Sequence, residues 1–226
     1  MIDWTLFVTF VAFAVTAGFT PGPNNFLLMS SGALFGFKST LPHIMGVAIG
    51  FSFVILAALF GMGVVIEAFP WLLTFVKGAG AAWLAWLGLK FFKTAYAHKR
   101  NNQETNSTAK DKPKKKQSSR PFKFYEAVLF QWVNPKGLIM ALAAAGAYVG
   151  ISSDFKLRTM LISATFFIVS MSSASTWALA GSALNRLMSQ GRSAFVLNII
   201  MGLLLFATAA MILTAHTGSV DGLELQ

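Results

Sequence analysis

Two apolar stretches of this chain are each interrupted by proline, one in each half. Residues 20–25 read Thr20-Pro21-Gly22-Pro23-Asn24-Asn25, and residues 131–136 read Gln131-Trp132-Val133-Asn134-Pro135-Lys136. Pro23 and Pro135 stand about half of the 226-residue chain apart. Proline removes an amide donor and its ring clashes with the preceding turn, so each motif breaks its helix. In a bilayer, backbone groups freed in this way persist only where protein or a wet cavity satisfies them. Matched interruptions in two halves of a membrane chain point to a transporter's binding site.

The membrane setting follows from composition. The chain is 55% hydrophobic and only 12% charged, with a mean hydropathy of +0.63. Soluble domains carry about 25% charged residues. Runs of about 20 apolar residues mark spanning helices, and six occur: 4–29, 41–66, 71–92, 124–149, 157–179 and 195–215. Asp3 precedes the first run and no Lys or Arg comes before Lys38. A secretory signal needs a basic start, so this run reads as a retained helix. With no cysteine, structural disulfides, thiolate metal sites and dithiol relays are excluded.

Charge sets the expected orientation. Eleven of the Lys and Arg residues, from Lys90 to Lys123, lie at or between the ends of the third and fourth runs. No aromatic residue falls between Lys99 and Arg120 to stack on a base, so a nucleic-acid partner is not expected. The positive-inside rule instead makes this a cytoplasmic loop, with weak attraction to anionic lipid. Lys38, Arg186 and Arg192 fall on the same side, so both termini are expected on the outside, which is the periplasm if the cell is a Gram-negative bacterium.

The expected fold is all-α and polytopic: six transmembrane helices as two inverted three-helix repeats, with helices 1 and 4 broken. An odd helix count inverts the second repeat. The domains are 1–97 for the first repeat, 98–121 for a basic cytoplasmic linker and 122–226 for the second repeat. Gly36-Phe37-Lys38 and Asp154-Phe155-Lys156 echo each other after the breaks. Gly32 with Gly36, Gly46 with Gly50, and the small-residue run 141–147 let helices approach closely, inside the bundle or at a homodimer seam.

The breaks supply chemistry for a zwitterion. Missing proline amides leave the carbonyls of Ala17, Phe19 and Gln131 as acceptors for an ammonium group. The restarted helix at Asn24 and Asn25 offers unpaired N–H groups and a positive dipole end to a carboxylate. Lys136 is an ionisable group near mid-membrane, a functional candidate by default; it attracts a substrate carboxylate or alternates protonation, with Asn134 holding it in place. No acidic residue lies at mid-membrane, which disfavours cationic side chains and hard divalent metals. The candidate substrate-binding residues are Pro21, Gly22, Pro23, Asn24, Asn25, Gln131, Asn134, Pro135 and Lys136, with no cofactor and no metal. Ser170, Ser172, Ser173, Ser175 and Thr176 form a polar path or bond their own helix. His43 and His216, near helix ends, read as interfacial. Without a Gly-x-Ser-x-Gly elbow, a membrane hydrolase is not expected.

These motifs resemble the LysE/RhtB family of bacterial amino-acid exporters along most of the chain. The likeness rests on Thr20-Pro21-Gly22-Pro23-Asn24-Asn25 followed by Gly36-Phe37, then Gln131-Trp132-Val133-Asn134-Pro135-Lys136, then Trp177-Ala178-Leu179-Ala180-Gly181. The last is similar to the corresponding segment of members that export cysteine and O-acetylserine. The resemblance implies six helices and amino-acid export driven by the membrane potential or proton gradient. The expected substrate is a neutral amino acid or small derivative, moved by alternating access. The alternatives are an inorganic-ion exporter of the same broad superfamily and a membrane scaffold or sensor whose basic loop binds a partner.

Overall fold

A computed structural model describes residues 1–69, 71–105, 120–188 and 193–214. Residues 106–119, with Lys110 to Lys116 of the expected linker, lie outside the described residues, as do Arg192 and His216. The described residues are almost wholly helical, without a strand.

The first expected run is two helices, α1 (Trp4–Phe19) and α2 (Pro23–Phe35). Asp3 caps α1, its Oδ1 accepting the Leu6 N–H at 2.9 Å, the usual device for an orphan first-turn amide. α1 ends where Pro21 and Pro23 cannot continue it. Pro23 then opens α2 at its first position, where a missing N–H costs nothing. Gly36, at φ +80°, turns the chain into α3 (Phe37–Ala57). A π-turn at Ala58–Met62, with Gly61 at φ +112°, leads into α4 (Gly63–Ala68). α5 (Trp71–Thr105) follows. It runs into the stretch expected as linker, because no proline or glycine stops it before Pro113.

The second half also opens on two helices divided by a break. α6 (Phe124–Val133) and α7 (Pro135–Ala147) are separated at Asn134, and α8 (Phe155–Met188) and α9 (Ser193–Thr214) follow. The bends are 52° between α1 and α2 and 66° between α6 and α7. Phe37–Ile66 and Phe155–Leu184 are each long and apolar enough to cross a membrane, and each bent pair also qualifies when taken as one span. Large apolar side chains such as Phe75, Trp86, Ile168 and Leu203 face outward, as a lipid solvent demands and water does not.

The two ends of the bundle are packed differently. At the Lys38 end, α2 lies along α8, and α6 along α3. A methyl group on Gly32 would strike the Ala178 carbonyl, and one on Gly181 the Met29 carbonyl. One on Gly46 would likewise strike the Phe124 carbonyl oxygen. These are backbone-to-backbone contacts that only small residues permit, so Gly32 and Gly46 are accounted for inside the bundle. At the Asp3 end, α1 and α7 stand further off and aromatic rings fill the space. Phe166 meets Phe10 and Phe51 edge-on, with centroids 5.2 and 5.3 Å apart. Tyr148 packs on Phe10 at 5.1 Å. The N-terminus is tied to this end by Asp3 N–H donating to the Ile151 carbonyl at 2.9 Å.

His43 departs from expectation. It is 1% exposed and stacks on Phe122 at 4.8 Å. It is not interfacial, because the chain entering α6 folds over it.

Candidate functional site

Each break leaves a helix N-terminus in the middle of the bundle. Gly22 is the N-cap of α2 and Asn134 that of α7, each followed by a proline. The first-turn amides of such a terminus have no intrahelical acceptor, and their dipoles favour negative charge. The two N-termini converge. A methyl group on Gly22 would lie 2.8 Å from Cδ of Lys136, so the missing side chain there lets the lysine cross to the other break.

Side chains bind the breaks together. Asn24 Nδ2 donates to Gln131 Oε1 at 2.6 Å, and Gln131 Nε2 donates back to Asn24 Oδ1 at 3.3 Å. Gln131 Nε2 also donates to the Ala127 carbonyl at 2.8 Å. Lys136 Nζ donates to the Thr20 carbonyl. Asn25 Nδ2 reaches back to the Gly18 and Thr20 carbonyls at 3.2 and 2.9 Å. Ser173 Oγ of α8 donates to the Gly18 carbonyl at 2.8 Å. The Gly18 and Thr20 carbonyls at the end of α1 are therefore held by three side chains, and none of these bonds goes to the Ala17 and Phe19 carbonyls that the missing proline amides release.

Between the breaks is a cavity of about 50 Å³. At about 10–15 Å³ for each water-sized probe, it has room for a few waters. Its wall takes in Gly22, Pro23, Asn24, Asn25, Gln131, Asn134 and Lys136, with Val47 and Phe51 of α3 and Ser170 and Ser173 of α8. Lys136 is the single ionisable side chain on this wall. Among the side-chain acceptors of the wall residues, Oδ1 of Asn134 is buried without a hydrogen-bond partner. Burying such a group unpaired costs about 1–3 kcal/mol.

Seven of the nine candidate residues thus line one space. Pro21 and Pro135 do not; they shape the breaks without facing the cavity. The Gln131 carbonyl is not free, since Asn134 N–H donates to it at 3.3 Å. Asn134 does not hold Lys136, whose ammonium goes across to Thr20. Of the hydroxyls on α8, Ser170 and Ser173 face the cavity, whereas Thr176 bonds its own helix at the Ser172 carbonyl. Val47 and Phe51 carried no sequence signal, being ordinary apolar residues of a spanning helix.

The chain is similar to known proteins along nearly all of its length. It is 29% identical over 212 residues to the cysteine/O-acetylserine efflux protein of Escherichia coli (strain K12), covering 92% of this chain and 97% of that protein. The protein of the same description from Shigella sonnei (strain Ss046) matches equally. No solved structure matches. The family model described as LysE type translocator matches residues 15–216, a span that holds both breaks and the cavity between them. The chain therefore belongs to the LysE type translocator family, and is a multi-pass membrane transporter rather than an enzyme.

Proposed function

We propose that this protein exports a neutral amino acid, or a small derivative of one, across the bacterial inner membrane by alternating access. The observation that carries the reading is the meeting of the two breaks. One lysine, two helix N-termini and four carboxamides surround a small cavity with no carboxylate on its wall. That chemistry suits a carboxylate and an uncharged side chain, and repels a cationic one. The relatives' description as cysteine/O-acetylserine efflux proteins supports the same substrate class.

In this reading α5 and α9, which pair along their lengths, are the third and sixth spans. Residues 1–97 and 122–226 are inverted repeats, and 98–121 joins them on the cytoplasmic side. Both termini lie in the periplasm. The order broken helix, long helix, long helix in each half supports the repeat. The nine candidate residues are retained as the substrate site, with Pro21 and Pro135 acting through backbone shape.

The test is counterflow of labelled alanine, serine, cysteine and lysine in proteoliposomes holding the full chain. Neutral amino acids should exchange and lysine should not. Lys136→Met should lower exchange at least a hundredfold with normal membrane insertion. Wild-type protein inert toward the whole panel would overturn the exporter reading; full activity of Lys136→Met would remove the lysine from it.

A further inference from the structure

The hydrogen bonds at the breaks narrow the acceptors open to a substrate's ammonium group. A carbonyl oxygen has two lone pairs. That of Gly18 receives Asn25 and Ser173, and that of Thr20 receives Asn25 and Lys136. The Gln131 carbonyl takes the Asn134 N–H, and the Gln131 side chain is paired with Asn24. The Gly18 and Thr20 carbonyls are thus filled, that of Gln131 is half filled, and that of Ala17, on the cavity wall, has lost its helical donor to Pro21. Among side-chain acceptors on the wall, the oxygen of Asn134 stands out: it has no partner at all, although Asn134 is only 3% exposed and lines the cavity.

A second observation bears on the same atom. Asn134 is the N-cap of α7, yet its side chain makes no capping bond. An N-cap asparagine ordinarily spends its oxygen on an amide of the first turn. Here the oxygen is withheld from the helix, and the amides of that turn stay available as well. The other buried polar atoms without a partner, on Ser30, His43, Thr159 and Ser163, lie off the cavity wall.

Resting on the exporter reading, we propose that Asn134 Oδ1 accepts the ammonium group of an α-amino acid whose carboxylate lies against Lys136 and the first turn of α7. One turn of helix then reads both ends of the zwitterion. The substrate class follows: small uncharged α-amino acids with a free amine. Analogues that keep the carboxylate but lack the amine leave the asparagine oxygen buried and unmatched, and bind less well.

The experiment uses matched pairs that differ only by the amine: L-alanine with propionate, L-serine with 3-hydroxypropionate, and L-cysteine with 3-mercaptopropionate. Each competes for counterflow of the labelled amino acid in proteoliposomes. Wild-type protein should favour the amine-bearing member at least tenfold. Asn134→Leu should raise KM at least tenfold and bring the preference close to one, whereas Asn134→Asp, which keeps an acceptor, should keep or enlarge the preference. If Asn134→Leu does not reach the membrane, the Asp variant decides alone: a kept or larger preference supports the assignment and a smaller one overturns it. Wild-type transport with an unchanged preference in Asn134→Leu overturns this role while leaving the exporter reading intact. Absence of any wild-type exchange overturns both.

Discussion

The Lys38 end and the Asp3 end of the bundle are closed by different means. At the first, α2 and α6 touch α8 and α3 through glycine and alanine, main chain against main chain. At the second, α1 and α7 hold off and Phe10, Phe51, Phe166 and Tyr148 fill the gap. Backbone contact cannot yield without moving a whole helix. A ring cluster yields by rotamer changes and small helix shifts. Under the proposed alternating access, the ring-filled end would serve as the thin gate and the glycine-lined end as the thick one.

The hardest way to break the contrast is to add bulk at the thick end. Gly181→Val puts a side chain onto the Met29 carbonyl, which belongs to backbone and cannot turn aside. Overpacking costs about 1–3 kcal/mol where side chains can adjust, and here the cost lies at or above the top of that range. The expected result is a large drop in melting temperature in detergent. Gly146→Val, at the Asp3 end, meets nothing within 4 Å and should melt near the wild type.

The join between the ends comes next. Asn24→Leu leaves the Gln131 carboxamide short of a partner in a buried setting, at a cost of about 1–3 kcal/mol. Asn24→Leu with Gln131→Leu removes both halves of the pair. A double-mutant cycle on thermal stability should give a coupling energy of at least about 0.5 kcal/mol. Additive losses would mean that the two breaks are neighbours without being braced.

Much of this was legible in the chain. Pro23 and Pro135 announced both breaks because proline's missing N–H acts through local covalent geometry, whatever the tertiary fold. Asn24, Gln131 and Lys136 stood out because polar groups in an apolar run are costly. The partners were not legible. That Lys136 crosses to Thr20 rather than to Asn134 depends on how α7 meets α1, a contact between residues more than a hundred positions apart. The burial of His43 is hidden from the sequence for the same reason: its place near the helix end is plain, but the cover given by Phe122 comes from the chain entering another helix. Phe51 is invisible in sequence because its role is set by the ring it touches.

Two glycines with positive φ, one at each end, sharpen the contrast further. Gly36 and Gly61 both have open space where a side chain would go, so a substitution meets only backbone strain, about 1–3 kcal/mol. Gly36→Ala and Gly61→Ala should therefore lose similar stability. They should differ in transport. Gly61 lies in the π-turn between α3 and α4, a feature often found at functional sites, so Gly61→Ala should slow counterflow several-fold, and Gly36→Ala should not.

The smallest stability change belongs to the ring that touches both the cavity and the thin gate. Phe51 lines the cavity and meets Phe166 edge-on. Phe51→Leu keeps an apolar side chain of moderate size, and such swaps usually cost less than about 1.5 kcal/mol. The melting temperature should hardly move. If the rings are the gate, losing one should speed exchange or let the substrate leak down its gradient without counter-substrate. A matched change at the thick end, Val47→Ala, also on the cavity wall, should produce no leak, because the seal behind it is backbone. Leak in both variants, or in neither, would mean that rings and glycines close the bundle equally well and that the difference between its ends has no bearing on transport.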